Sequence, residues 1–454
     1  MNSSLVKNRY GSLPLRALQH IPLQLRCCPH WLTLIVFITV SDVTAQSSAI
    51  DYATRVIDTL TSSAMNGRGY VDSADWKAAE FIRHSLQESG LQSFHESYYQ
   101  QYPLSVNVFP GALHFSVNDT VLSPGKDFLV NAASGSCRGK FATRKISLPA
   151  ADTSRAAVYK LCSDLSERSN RQIFLLVPKD QFTVAQYANW QESLQTTNAF
   201  GAKGVVEYSA DKLTWHASQE QLPWCWLQVK GNLPATKKTV VTVDIESKWK
   251  KNYSNQNVIG FVKGTAVPDS FLVFTAHYDH LGQMGDSTYF PGANDNASGT
   301  SMVMNLAKYY TAHPPKYSVA FMFFSGEELG LLGSQYYVHH PLFPLGNIKF
   351  LVNLDIVGTG DEGIKVVNGT EFPQPFRQLV VLNEKEQLLK VVSPRGKAAN
   401  SDHYSFFEKG VPCFFIYTMG GIAAYHDVYD RAQTLPLTAY DNLFRLLTEF
   451  AGTF

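Results

Sequence analysis

The sequence predicts an α/β fold: a mixed, mostly parallel central sheet flanked by helices, with an inserted β-rich domain. Three observations predict it. Over residues 257–454, strand-like apolar runs (FLVFTA, VAFMFF, KFLVNL) alternate with stretches of helical apolar spacing, the rhythm of a largely parallel sheet covered by helices. Residues 109–251 break that rhythm into short strand-like pieces separated by Gly, Pro, Ser and Asp clusters. The three apolar runs also lead into residues of one chemical kind: His277 and Asp279, Glu327 and Glu328, and Asp355. Ligands of open α/β sheets bind outside the carboxyl ends of the strands, so these side chains are expected to converge.

A chain of 454 residues with 45% apolar and 17% charged residues can bury a large core and is long enough for two or three domains. Its formal net charge of +1, without a long basic run or basic patch interleaved with aromatics, argues against a nucleic-acid partner. Residues 1–26 carry Lys7, Arg9, Arg16 and Arg26 but no acid. The uncharged run WLTLIVFITV follows, and then Val43-Thr44-Ala45. This is the pattern of a secretory signal over residues 1–45, implying a secreted or periplasmic protein; an uncleaved anchor is the alternative, although the apolar run is short for a membrane span. No stable membrane span is expected in the mature chain. Cys27 and Cys28 precede the apolar run. Of Cys137, Cys162, Cys225 and Cys413, the most local disulfide would join Cys137 to Cys162; four small buried hydrophobes is the competing reading. No CxxC is present, which argues against a zinc–thiolate site.

In chain order, residues 51–64 and 73–89 have helical apolar spacing. In the second, Trp76, Ala79, Phe81, Ile82 and Leu86 form the apolar side and Gly90 stops it. Residues 91–108 turn strand-like, completing an N-terminal part of the main domain over 46–108. Within the insert, ALHFSV, AAVYKLC, QIFLLV and TVVTVDI read as strands, residues 184–199 as a helix, and GVVEYS as the run after it. The insert holds few convergent His, Asp or Glu residues, and fits a lid, a specificity surface, a partner-binding module or a passive insertion. The region 252–454 then reads as the catalytic core. Its helices are expected at 297–312, 328–338, 375–386 and 436–450, and its strands at 317–324, 348–354 and 411–417, with a short helical turn at SDHYSFFEKG.

The chemistry is read residue by residue. His277 and Asp279 share one face of an extended segment, where the carboxylate can fix the tautomer of a metal-ligating imidazole. Tyr278 and His280 are expected on the other face. Asp295 sits among small residues in GANDNASG, where an acid can cap a helix or bridge two ions. In Glu327-Glu328 adjacent side chains diverge, so one can ligate while the other serves as general base. Asp355 ends an apolar strand, a costly place for an unpartnered acid. His426 supplies a late imidazole. Asp402-His403 is a candidate for a supporting layer or for substrate contact. Two imidazoles and three carboxylates, Asp295, Glu328 and Asp355, are enough for two divalent ions sharing one acid.

The segments HYDHLG, GANDNASG, SGEELGLLGS, NLDIVG, SDHYSFFEKGVP and YHDVYD, in this order over most of residues 257–440, resemble the bi-zinc exopeptidases of the aminopeptidase and glutamate-carboxypeptidase family. The resemblance implies that fold, two Zn²⁺ per chain and peptide substrates. It implies His277 and Asp355 on one zinc, Glu328 and His426 on the other, and Asp295 bridging. By the same match Glu327 is the general base, Asp279 orients His277, and Tyr425 stabilises the oxyanion. Some aminopeptidases of the family place that Tyr upstream of SDH, where this sequence has Lys397-Ala398-Ala399-Asn400. The insert is similar in placement to a protease-associated domain. An exported aminopeptidase is the expected function. The alternatives are a carboxypeptidase, with Arg395 or Lys397 as carboxylate clamp, a glutaminyl cyclase, or a non-catalytic binding protein; oligomeric state is open.

Overall fold

The computed structural model describes residues 49–146, 156, 160, 172–197, 201–234 and 239–454. The expected signal segment and Cys162, with its pairing to Cys137, lie outside them. Cys137, Cys225 and Cys413 are buried free thiols. Among the described residues no helix is long and apolar enough to cross a membrane.

Helices α1 (Ala49–Leu60) and α2 (Ala74–Glu88) precede strand β1 (Tyr99–Val108). The chain next builds a separate sheet. Its strands are β2 (Leu113–Val117), β3 (Thr120–Val121), β4 (Phe128–Val130), β5 (Cys137–Lys145), β6 (Ile173–Pro178), β7 (Gly204–Ser209), β8 (Cys225–Lys230) and β9 (Val240–Ile245), with helix α3 (Val184–Thr197) between β6 and β7. These eight strands are ordered β3-β2-β9-β5-β6-β7-β8-β4. The strand-like reading of residues 156–162 falls largely outside the described residues, of which Ala156 and Lys160 are helical.

Strand β10 (Lys248–Val262) returns to pair antiparallel with β1. It is followed by β11 (Val267–His277) and a hairpin of β12 (Gly282–Met284) and β13 (Thr288–Phe290). Helix α4 (Gly299–Ala312), β14 (Tyr317–Phe324), α5 (Leu332–His339) and β15 (Ile348–Leu354) come next. Then follow β16 (Gly363–Val367), α6 (Pro373–Glu386), β17 (Val392–Arg395), α7 (His403–Phe407), β18 (Cys413–Met419) and α8 (Tyr440–Ala451). The main sheet is ordered β1-β10-β14-β11-β15-β18-β16-β17, with β14, β11, β15 and β18 mutually parallel at its centre.

The apolar runs are continuous because both faces of these strands are buried. Leu272, Phe274 and Ala276 of β11 pack towards α1, α2, α4 and α8, whereas Phe271 and Val273 pack with Tyr337, Val338 and Phe406 on the opposite face. The four central strands end side by side, and His277, Glu327, Glu328, Asp355 and His426 lie at or beyond their carboxyl ends. Of the helices expected over residues 252–454, three start later: α8 at Tyr440 rather than 436, and the two beside the site, α4 and α5. The wide turn Ala293–Ser298 precedes α4, and Gly326, Gly330 and Leu331, all at positive φ, hold the Glu327-Glu328 pair in a turn ahead of α5. Such backbone is incompatible with an α-helix beginning at Glu328.

Candidate metal centre

His277 is the last residue of β11, and Asp355 directly follows β15; register pairs the two strands up to Thr275 and Asn353. The backbone places His277 Nε2 3.3 Å from Asp355 Oδ1 and 3.3 Å from Asp295 Oδ1. The second oxygen of Asp295 lies 3.0 Å from His426 Nε2, which is also 3.2 Å from Glu328 Oε2. One carboxylate thus stands between two imidazoles, and each imidazole also faces a second carboxylate. Donor atoms bound about 2.0–2.1 Å from a tetrahedral ion lie about 3.3 Å from one another. The spacings match, the atoms are one nitrogen and two oxygens on each side, and their mixture suits Zn²⁺.

Asp295 is aimed by what surrounds its loop. Asp430, fully buried, accepts hydrogen bonds from the amides of Asn294 at 2.8 Å and Asp295 at 3.0 Å. Arg68, also fully buried, donates to the carbonyls of Tyr278 (2.8 Å), Leu60 (3.0 Å), Pro291 (2.6 Å) and Gly292 (2.8 Å). One guanidinium therefore ties the exit of β11 to the entrance of the Asp295 loop. Burial lowers its pKa to about 10, opposed by Asp430, Asp295 and Asp279. Asp355 is held by Ser401, whose hydroxyl donates to Oδ2 at 2.8 Å and accepts from Asn353 Nδ2 at 2.8 Å.

Asp279 has a different position from the simple expectation. His277 Nδ1 is 3.1 Å from the Asp279 carbonyl oxygen and 3.6 Å from its carboxylate. The carboxylate instead accepts from the Tyr70 hydroxyl at 3.1 Å and the Glu327 amide at 3.3 Å, linking β11 to the turn that carries the glutamate pair. His280 corrects the expectation that it faces away. The strand ends at His277, so alternation no longer applies three residues later, and His280 Nδ1 lies 2.7 Å from Glu328 Oε1. Its other nitrogen has no partner among the described residues. Tyr278 does turn away, donating to the Gln256 carbonyl at 2.6 Å.

The carboxylates around the two imidazoles dominate the electrostatics. For His277 burial opposes the charged ring, but Asp355 and Glu327 raise its pKa well above the ordinary histidine range. The same contest at His426 ends at about 11, with Glu328 and Asp295 responsible. Burial works against ionised Glu328, yet His426 and its other partners hold it down to about 2. Glu327 goes the other way: burial pushes it well above the carboxylate range, Asp355 and Glu328 add to the rise, and His277 opposes it. Behind it, burial lifts Asp402 to about 7 and depresses His403 to about 3. Tyr425 is 43% exposed and its ring lies parallel to His426, centroids 4.0 Å apart. Arg395 and Lys397 are exposed, with Arg395 3.3 Å from the Tyr417 hydroxyl. Arg68, Tyr70 and Asp430 carried no sequence signal of their own, although Asp430 lies inside the YHDVYD segment.

Aminopeptidase YwaD of Bacillus subtilis is 30% identical over 251 residues, which cover 54% of this chain and 50% of that protein. A probable zinc metalloprotease of Pyrenophora tritici-repentis is 40% identical over 116 residues, 24% of this chain and 23% of its own length. The chain thus spans half or less of these curated relatives. In structure it resembles BSAP, a zinc aminopeptidase from Bacillus subtilis (TM-score 0.64, 20% identity, 89% of this chain and 94% of the other). It also resembles a peptidase M28 precursor from Shewanella amazonensis SB2B (TM-score 0.63, 16% identity, 89% and 95%); at these identities the likeness is one of fold. Residues 257–451, which hold His277, Asp295, Glu328, Asp355 and His426, match Peptidase family M28.

Proposed function

We propose that this chain is an exported, zinc-dependent exopeptidase that releases amino-terminal residues from peptides. The observation that carries the reading is Asp295, with one oxygen 3.3 Å from the His277 imidazole and the other 3.0 Å from that of His426. His277, Asp355 and Asp295 would hold one Zn²⁺; Glu328, His426 and Asp295 would hold the other. The aminopeptidase direction is supported by the names of the Bacillus subtilis relatives, and export by the basic, apolar and small-residue order of residues 1–45.

When bound, the ions supply Lewis-acid polarisation of the scissile carbonyl and lower the pKa of the attacking water. The rest is the work of side chains. Glu327, with its raised pKa, takes a proton as the water attacks the carbonyl carbon and delivers it to the departing amine as the C–N bond breaks. Tyr425 keeps its phenolic proton, since burial and then the acids Asp295 and Glu328 raise its pKa, and it serves as a hydrogen-bond donor to the developing oxyanion. Asp279 positions the Glu327 turn through the amide contact at 3.3 Å.

The test is mass spectrometry of a short-peptide mixture incubated with the purified protein, with and without chelator. Chelator-sensitive loss of single residues from free amino termini is expected. Glu327→Gln should retain its zinc and lose roughly 10²–10⁴-fold in rate. Turnover unchanged by that substitution would remove Glu327 from the mechanism. Trimming from carboxyl termini would leave the metal centre in place and reverse the direction assigned to the enzyme.

A further inference from the structure

Residues 212–216 belong to the β-rich insert, yet they meet the loop that carries Tyr425 and His426. The Trp215 amide donates to the His426 carbonyl at 2.9 Å, and the Trp215 carbonyl lies 2.9 Å from His426 Nδ1. A carbonyl at Nδ1 fixes the tautomer that leaves Nε2, the nitrogen facing Asp295 and Glu328, free to ligate. Three residues earlier, Lys212 Nζ stands 2.8 Å from the Ala423 carbonyl, 3.0 Å from the Tyr425 carbonyl and 2.7 Å from Asp427 Oδ2. An ammonium has three protons, and here it has three acceptors on one loop.

The loop's other anchors lie at its ends, where Ile422 and Val428 pack against buried clusters, and in Asp427, which accepts from the Tyr429 amide at 2.8 Å. The loop leaves β18 through Gly420 and Gly421, at φ 84° and 83°, and His426 itself sits at φ 52°. A left-handed non-glycine residue persists only where its surroundings hold it there. Residues 211–218 form a strap that is one wall of a 470 Å³ cavity in the insert. Its own anchor is Trp215, whose indole donates to the Val130 carbonyl at 2.7 Å and stacks on Phe290 at 4.6 Å.

We propose that the insert is a working part of the metal centre: its strap fixes the loop over residues 423–427, and Lys212 is a positioning residue for His426 and Tyr425. The inference rests on the metallopeptidase reading and adds that the Glu328–His426 ion depends on the insert, whereas the His277–Asp355 ion does not. Lys212 is 44% exposed, so replacing it leaves the core intact.

The experiment is calorimetric titration of the metal-free full chain with Zn²⁺, for the wild type, Lys212→Met and Lys212→Arg. It is joined by kcat and KM on the peptide that the wild type cleaves fastest, and by the unfolding temperature. In Lys212→Met one ion should bind as in the wild type and the other about 10–100-fold more weakly, because a freed loop loosens the Trp215 carbonyl's hold on His426 Nδ1 and the loss of such an outer partner costs about that much. The fall in activity should appear in kcat rather than KM, the unfolding temperature should not move, and Lys212→Arg should recover most of the affinity. Wild-type affinity for both ions in Lys212→Met would overturn the proposal. Equal weakening of both, or a lowered unfolding temperature, would also overturn it by showing a general structural role. A wild type that takes up no Zn²⁺ would overturn the metal reading itself, and this inference with it.

Discussion

Asp75, fully buried in the first turn of α2, has one carboxylate oxygen 2.6 Å from the Tyr253 hydroxyl; the other has no partner among the described residues. Burial raises its pKa to about 7, with the Tyr253 hydrogen bond opposing. The folded protein therefore binds a proton more tightly here than the unfolded chain, whose Asp titrates near 3.8. The native state holds more protons between those values, so stability falls as pH rises from about 4 to about 7, and the loss is complete above 7. At about 1.4 kcal/mol per pH unit over about three units, the loss is on the order of 4 kcal/mol. Asp75→Asn keeps an acceptor for Tyr253 and removes the charge. Denaturant midpoints at pH 5 and pH 8 should converge in this variant relative to the wild type, and an identical pH slope in both proteins would sink the assignment. Nothing in the sequence marked Asp75, since an acid in a first helical turn is ordinary. Arg68 and Asp430 were silent for the same reason: their roles come from burial against segments more than a hundred residues away. The residues that face one another at the candidate metal centre stood out in the sequence because His277, Glu328 and Asp355 follow apolar runs and Asp295 and His426 lie in Gly-containing loops, both local features.

At the scale of elements, the glutamate pair depends on how closely α5 approaches the sheet. At Gly333 a Cβ would lie 2.3 Å from the Ser325 carbonyl oxygen and 2.4 Å from Asn257 Oδ1, while Asn257 Nδ2 donates to the Gly333 carbonyl at 3.0 Å. The helix thus rests on the backbone just before the Glu327-Glu328 turn, and its own start is set by that turn, with the Gly330 and Leu331 amides bonded to the Glu327 carbonyl at 2.8 and 3.0 Å. Gly333→Ala must push the helix outwards. Overpacking of this kind costs about 1–3 kcal/mol, and the displacement passes directly into Glu327 and Glu328. We expect a lower unfolding temperature together with weaker Zn²⁺ binding; an unchanged unfolding temperature would show that the helix shifts freely and that the close approach is incidental. Strands β14 and β15 fall where the apolar runs place them, because burial on both faces leaves a continuous signature. The starts of α4 and α5 were not legible, since both follow turns whose left-handed or irregular backbone leaves only a scatter of Gly and Asn in the sequence.

At the scale of the molecule, the two sheets share apolar material. The buried cluster of the second sheet, including Phe115, Phe128 and Val243, also takes in Leu281, Met284, Phe290 and Val428 from the chain around the metal centre. The Phe290 ring stacks on Trp215, and the Gly285 amide donates to the Phe109 carbonyl at 2.9 Å. Exposing these four residues would bare a contiguous apolar patch on the rest of the molecule, which soluble proteins rarely tolerate. Two bodies with a common core lose their stability together, whereas bodies joined only by linkers unfold apart. Calorimetry of residues 46–454 should therefore give one transition, with loss of tertiary signal and loss of bound Zn²⁺ at the same temperature. Two separated transitions, the first leaving the metal bound, would show that the insert folds on its own and that its contacts with the loop around His426 are made late and weakly. A single transition would explain why the insert's polar loop, with no periodic signal of its own, needs no independent stability: its conformation is set where it meets β13 and the His426 loop.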